Sequence, residues 1–308
     1  MPERVINLGG LRDAFLTRLA ASYELVEVGD PRAAEATAAI TTGGTGISAA
    51  QIAALPRLRT VAGFGVGYDR VDIAAARARG IVVTNTPGLT DRCVADHAIA
   101  LFLAVARRVA EGDRFVRAGR WTSGRLPGLA RRATGRKLGI LGMGRIGLQI
   151  AKRAAAFDMP VGYHNRNPRG DTAHRYFPSV QALAAWADVL VVASPGGAAT
   201  RHLVDAAALA ALGADGVIVN IARGTIIDEA ALLAALQSRA IAGAGLDVFD
   251  DEPRMSPAFH TLDNAVLTPH IAGSTEETWL DCEDMALENL RRHFAGEALL
   301  TPIPELAP

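Results

Sequence analysis

The sequence predicts an α/β protein built on parallel sheets and divided into two domains. Short apolar runs bounded by glycine, proline or asparagine alternate with longer helical patterns, which reads as repeated strand–helix units. The chain has 308 residues, half of them apolar, enough to bury two ordinary cores. In its middle, Gly142-Met143-Gly144-Arg145-Ile146-Gly147 follows a buried-strand run and opens directly into a helical pattern.

The first third gives strands at residues 5–8, 25–28, 38–41, 59–62 and 81–84. Helices fall between them, such as those at 11–21 and at 49–54, the second started by Ser48 as N-cap. A long apolar helix over 93–108 comes next and is placed to link the domains. The second set of strands is 137–141, 161–165, 189–193, 217–220, 244–248 and 265–267, with the helix 145–157 after the glycine loop. Asp205 and Asp228 stand where N-caps start intervening helices. The final helix, 276–295, is expected to pack back on the first domain. The expected organisation is two Rossmann-like domains. A dinucleotide-binding domain, residues 100–274, is inserted into a discontinuous flavodoxin-like outer domain, residues 1–99 and 275–308.

Composition narrows the classes. Basic and acidic residues balance at 32 each, which argues against a general nucleic-acid surface. No apolar run reaches about 18 residues, so no membrane span is expected. The start, Met1-Pro2-Glu3-Arg4-Val5-Ile6, lacks a signal-peptide core, and a cytoplasmic protein is expected. Cys93 and Cys282 are too few for a disulfide framework and read as buried thiols. The seven histidines show no paired ligand spacing, so no metal site is expected. No Gly-x-Ser-x-Gly elbow and no Gly-Lys-Ser/Thr phosphate loop is present.

In its strand–loop–helix setting the glycine loop reads as a dinucleotide cradle. Gly142 permits the turn, Gly144 lets backbone approach pyrophosphate, and Gly147 lets helix meet strand. The helix N-terminus offers N–H groups and a positive dipole end to phosphate. About 20 residues on, an NAD site would carry Asp or Glu for the ribose hydroxyls. This chain has Tyr163-His164-Asn165-Arg166-Asn167-Pro168-Arg169 instead. Asn165 and Arg166 suit a 2′-phosphate, so NADPH is preferred, with NADH possible.

Three further segments end in chemically active side chains: Asn220-Ile221-Ala222-Arg223-Gly224, Asp250-Asp251-Glu252-Pro253 and Thr268-Pro269-His270-Ile271-Ala272-Gly273. Arg223 follows a buried strand, whose carboxyl end faces the ligand side of a parallel sheet. Its planar guanidinium suits a substrate carboxylate and the adjacent carbonyl oxygen. His270 is the expected general acid in reduction and base in oxidation, with Glu252 holding its other ring nitrogen. These parts suit hydride reduction of a 2-keto acid.

With Val192-Ala193-Ser194-Pro195-Gly196-Gly197, Gly245-Leu246-Asp247-Val248-Phe249 and Ser274, these segments resemble the D-isomer-specific 2-hydroxyacid dehydrogenase family along nearly the whole chain. Within it, Asn165-Arg166 and the end Thr301-Pro302-Ile303-Pro304 are most similar to bacterial NADPH-dependent glyoxylate/hydroxypyruvate reductases. The resemblance implies the roles given above to Arg223, Glu252 and His270. It also implies that Gly63-Phe64-Gly65-Val66-Gly67 is the substrate loop, with the N–H groups of Val66 and Gly67 meeting the carboxylate. Thr90 would approach the cofactor from the outer domain. Ile221, Asp247 and Gly273 would hold the nicotinamide end, and Ala222, Ser194 and Pro195 would line the cofactor, although the Ser194-Pro195 turn departs from the commoner leucine-containing form. Trp121 matches a region that reaches a partner subunit near the substrate; a core or dimer-contact position is the alternative. A homodimer is implied. Two alternatives stay open: an NAD-dependent relative acting on a phosphoglycerate- or lactate-type acid, and a cofactor-sensing binding protein on the same fold.

Overall fold

A computed structural model describes residues 3–307. In chain order its elements are β1 (Arg4–Asn7), α1 (Asp13–Ala20), β2 (Glu24–Glu27), β3 (Ala38–Thr42), α2 (Ala49–Ala54), β4 (Thr60–Phe64), α3 (Ile73–Ala78), β5 (Val82–Thr84), α4 (Asp91–Ala106), α5 (Val109–Arg117), β6 (Leu138–Leu141), α6 (Arg145–Ala154), β7 (Val161–His164), β8 (Arg175–Tyr176), α7 (Val180–Trp186), β9 (Val189–Val192), α8 (Ala206–Leu212), β10 (Val217–Asn220), α9 (Glu229–Gln237), β11 (Gly243–Leu246), β12 (Ala265–Leu267) and α10 (Glu276–Ala295). The chain divides into two compact units, Met1–Thr90 with Thr275–Pro308, and Asp91–Ser274. Residues 1, 2 and 308, which the expected outer domain includes, lie outside the described residues.

The outer unit holds a five-stranded sheet in the order β2-β1-β3-β4-β5, every named pair parallel. Local signals set its helices. Ser48 and Gln51 form a reciprocal capping box at α2: Gln51 N–H donates to Ser48 Oγ at 3.3 Å and Ser48 N–H to Gln51 Oε1 at 2.9 Å. Thr275 caps α10, Glu276 and Glu277 sit in its first turn, and Arg292 and His293 in its last, all matching the helix dipole. Cys282, Ala286 and Leu290 of α10 bury against Val5, Ile40 and Ala62 of the sheet. Burial pushes the Cys282 thiol up, whereas Cys93 is only half-buried, so just one cysteine is enclosed as expected.

The second unit holds seven strands in the order β12-β11-β10-β9-β6-β7-β8. Val189, Val191, Val217 and Val219 face one apolar cluster and Leu190, Val192 and Ile218 face the other. Helices therefore cover both faces, and strands without a polar face are the consequence. The strand order reverses between β6 and β9, which opens a crevice at their carboxyl ends. Asp205 and Asp228 cap α8 and α9 by accepting N–H bonds from Ala208 at 2.8 Å and Ala231 at 3.0 Å. The long helix begins at Asp91 and belongs wholly to this unit. Val94, Ala98, Leu101 and Phe102 pack with Leu138, Ile140 and Val219, so the division precedes the helix instead of falling at residue 99. Helix α3 falls between two outer strands, where a helix is expected; the short strand β8 and helices α5 and α7 have no counterpart in the sequence reading. Trp121 is 69% exposed, which removes its core reading. Arg131 pairs with Asp215 at 2.5 Å.

His293 gives the outer unit a pH dependence. Its ring bridges the hydroxyls of Thr37 at 3.0 Å and Thr60 at 2.8 Å. Burial holds its pKa below the ordinary 6.5, Glu3 opposing and Arg59 adding to the shift. The folded state thus resists a proton that the unfolded chain accepts. The stability is present above 6.5 and is lost as pH falls from there toward the folded value. Chemical denaturation should show this fall, and His293→Gln should flatten it. Thr60→Val should cost about 1 kcal/mol at neutral pH.

Candidate active site

The glycine loop leaves β6 where the strand order reverses. Gly142 has φ +103°, and a Cβ there would lie 2.4 Å from the Ser194 nitrogen, so the ends of β6 and β9 approach too closely for any side chain. A Cβ on Gly147 would lie 2.5 Å from the Gly142 carbonyl oxygen, which brings α6 down onto the strand end. Gly144 is different: it is exposed, and no atom of the described residues outside its chain neighbours and its own helix lies within 4 Å of the Cβ position. Close packing behind the loop with open space above Gly144 fits a dinucleotide pyrophosphate against the first N–H groups of α6. The Ser194 Oγ beside the loop is buried and has no hydrogen-bond partner among the described residues. Pro195 next to it is exposed, Ile146 half-buried.

The end of β7 divides the work between its residues. Asn165 Oδ1 accepts the Met143 N–H at 2.7 Å and so braces the loop, which leaves its amide N–H₂ facing other groups. Arg169 donates to the Met143 carbonyl at 3.0 Å and pairs with Asp171, a carboxylate just beyond the 163–169 segment. Arg166 is exposed and makes no hydrogen bond or ion pair with the described residues. Arg145 reaches back to Asp91 at 2.9 Å, so its charge is already matched within the protein.

The three reactive segments converge on one edge of this unit. Asn220, buried at the end of β10, accepts the Ala222 N–H at 3.0 Å and donates to the Arg223 carbonyl at 2.9 Å, closing the turn that presents Arg223. Ile221 and Ala222 are buried beneath it. Arg223 is half-buried, and its Nη1 donates to the Ala222 carbonyl at 2.7 Å. A Cβ on Gly224 would lie 1.9 Å from the Phe249 carbonyl carbon. The Arg223 turn is therefore pressed directly against the backbone that leads to Glu252. His270 Nδ1 meets Glu252 Oε2 at 2.7 Å, and Glu252 Oε1 accepts the Phe249 N–H at 2.9 Å. Burial raises the Glu252 pKa, but His270, the Phe249 N–H and the nearby Arg223 charge outweigh it and hold the carboxyl below its ordinary value. Glu252 is therefore a carboxylate acceptor and His270 Nδ1 the donor, which leaves Nε2 for a substrate.

His270 has φ +54°, a left-handed backbone unusual for a residue with a side chain. Asp247 holds it there. The Asp247 carbonyl accepts the His270 N–H at 2.8 Å. Its carboxylate accepts the N–H groups of Ile271 and Ala272, each at 2.9 Å. Thr268 Oγ1 donates to Asp247 Oδ1 at 2.6 Å, and His97 on α4 lies 3.0 Å from that hydroxyl. Burial pushes the Asp247 carboxyl up, yet these bonds together hold it below its ordinary value. Asp247 is fully buried, so its main contacts are to the His270 turn. Gly273 follows, half-buried. Asn220, Thr268 and His97 were missed as contributors. A histidine at the head of the apolar run 98–106 is the available signal for His97.

On the outer unit, the loop after β4 is glycine-lined and its Gly65 has φ +99°. Asn85 Nδ2 donates to the Val66 carbonyl at 2.8 Å, and a Cβ on Gly43 would lie 2.5 Å from the Gly67 carbonyl oxygen. The N–H groups of Val66 and Gly67 have no acceptor among the described residues. Thr90, half-buried, is the last residue of this stretch. A cavity of about 370 Å³ lies elsewhere, at the amino ends of β10 and β11, lined by Val217, Ala242, Arg108 and Arg114. It is on the edge opposite the reactive side chains and is not this site. Among the described residues no cluster of His, Cys, Asp or Glu could hold a metal, and no helix is long and apolar enough to cross a membrane.

Residues 99–272 match the family described as D-isomer specific 2-hydroxyacid dehydrogenase, NAD binding domain. The chain is 46% identical over 271 residues to a 2-ketogluconate reductase of Gluconobacter oxydans, covering 88% of this chain and 87% of that one. It is 44% identical over 266 residues to glyoxylate/hydroxypyruvate reductase A of Arabidopsis thaliana, covering 86% and 85%. The crystal structure of an NADPH-dependent glyoxylate/hydroxypyruvate reductase from Sinorhizobium meliloti, in complex with NADP and malonate, superposes with a TM-score of 0.94 at 38% identity, over 99% of this chain and 98% of that one. Sequence match, parallel-sheet architecture and the geometry of the reactive edge agree: the chain is an enzyme of the D-isomer-specific 2-hydroxyacid dehydrogenase family.

Proposed function

We propose that this enzyme reduces a small 2-keto acid, of the glyoxylate or hydroxypyruvate type, to the D-2-hydroxy acid, and that it prefers NADPH to NADH. The observation that carries the reading is the 2.7 Å contact between His270 and Glu252 with the Arg223 charge beside it. The exposed Arg166, and the absence of a carboxylate at residues 163–169, support the choice of NADPH. The names of the relatives support 2-keto acid reduction; the 2-ketogluconate reductase among them makes a longer, polyhydroxylated acid the second substrate to test.

The cofactor, held by the loop Gly142–Gly147 with Asn165, Arg166 and Ser194, supplies the hydride when bound. The remaining chemistry belongs to the chain. Arg223 orients the keto acid through a charge-assisted pair with its carboxylate and stabilises charge developing on the carbonyl oxygen. His270 delivers the proton to that oxygen from Nε2. Glu252 keeps Nδ1 protonated and fixes the ring plane, and its lowered pKa keeps it ionised while it does so. On the outer unit, the N–H groups of Val66 and Gly67 are the proposed carboxylate donors, and Thr90 a cofactor contact. We further propose a cytoplasmic homodimer.

Steady-state assays of glyoxylate, hydroxypyruvate and 2-ketogluconate with each cofactor test the reading; NADPH turnover of none of the three would refute it. His270→Ala should lower kcat/KM by about 10²–10⁴ while NADPH still binds. Arg166→Glu should raise the KM for NADPH by about tenfold or more, by replacing a phosphate partner with a repelling charge, and leave that for NADH nearly unchanged. Gly224→Ala should separate the Arg223 and Glu252 segments, giving a kcat loss of about 10²-fold from misplacement alone. Full activity in that variant would show that the close approach is dispensable.

A further inference from the structure

We infer that His97, on helix α4 and outside the reactive trio, is a positioning residue for the proton donor: through Thr268 and Asp247 it holds the left-handed turn that carries His270. This rests on the reading of His270 as the group that protonates the substrate.

The argument follows the protons. Three consecutive N–H groups, those of His270, Ile271 and Ala272, all end on Asp247, one on its carbonyl and two on its carboxylate. A left-handed conformation at a histidine persists only where its surroundings over-determine it. Asp247 supplies that determination only while its carboxylate is ionised and correctly rotated. The carboxylate is fully buried, so water does not solvate it, and the remaining donors come from the protein. Thr268 gives its single hydroxyl proton to Oδ1 at 2.6 Å. Its oxygen can then only accept from His97, whose Nε2 is 3.0 Å away. The same Nε2 lies 3.5 Å from Asp247 Oδ1. His97 therefore carries a proton on Nε2 that faces both groups. Its side chain is 20% exposed and sits on a long helix packed against β10 and, through Leu101 and Val105, close against Gly245 and Gly243 of β11, a firm base from which to fix the carboxylate. Each bond to the buried charge is stronger than a neutral one, so losing the first in the chain loosens the rest.

The test uses the full-length protein. His97→Phe keeps a ring of similar size and removes the donor; His97→Gln keeps an N–H near the Nε2 position. Glyoxylate reduction with NADPH, NADPH binding by fluorescence and amide hydrogen exchange at Ile271 and Ala272 are measured for each. For His97→Phe we expect kcat about tenfold lower, a shift of about 1.4 kcal/mol, with the KM for glyoxylate little changed. Exchange at both amides should quicken and NADPH binding should persist. His97→Gln should recover most of kcat and of the protection. Unaltered kcat in His97→Phe, or a loss in His97→Gln as large as in His97→Phe, overturns the inference. If the unaltered protein reduces no 2-keto acid, the function reading fails by itself. Exchange at the two amides then still decides the tie: equal protection in wild type and His97→Phe would refute it.

Discussion

A single buried carboxylate underlies the reactive edge. Asp247 lies at the end of β11 with no access to water, and it gathers the backbone of residues 270–272 around itself. An ionised group in that position must be surrounded by donors or it takes up a proton. Here the donors are the N–H groups of the His270 turn, the Thr268 hydroxyl and His97. Satisfying the charge and shaping the turn are therefore the same event. The strained backbone of His270 is the visible cost, and the direction in which its ring points toward Glu252 is the gain.

The second constraint is how closely backbones approach. At Gly224 the Arg223 turn touches the Phe249–Asp250 backbone at a distance no side chain permits. At Gly142 the ends of β6 and β9 do the same beside the cofactor loop. Both contacts occur at carboxyl ends of parallel strands, where the peptide chain turns away and exposes polar groups. Glycine in these places works by absence: it lets rigid strands carry their terminal residues close together. Gly144 uses the same freedom differently, since the space above it is open to solvent and suited to a phosphate.

The strands and helix caps were largely legible because their causes are local. Ser48, Asp205 and Asp228 each announce a helix through a side chain that accepts an N–H three residues on. Apolar runs such as Val217-Ile218-Val219 announce strands buried on both faces. The short strand β8, Arg175–Tyr176, was not legible, because two residues carry no period; pairing with β7 alone makes it a strand. Helix α4 looked like a connector, since an apolar helix does not state which core it joins. Asn165 looked like a phosphate ligand, and only the fold shows its oxygen held by the Met143 N–H.

By itself, the sequence determined the alternating strand and helix pattern, the glycine loop, and the presence of Arg223, Glu252 and His270 at strand ends, for these follow from residue type and short spacing. Only the tertiary structure decided which groups meet. Glu252 finds His270 across 18 residues, and His97 finds Thr268 across 171, through a sheet register that no local signal encodes. The physical reason is that a hydrogen bond depends on position within a few tenths of an ångström, whereas the forces that choose strands and helices act residue by residue.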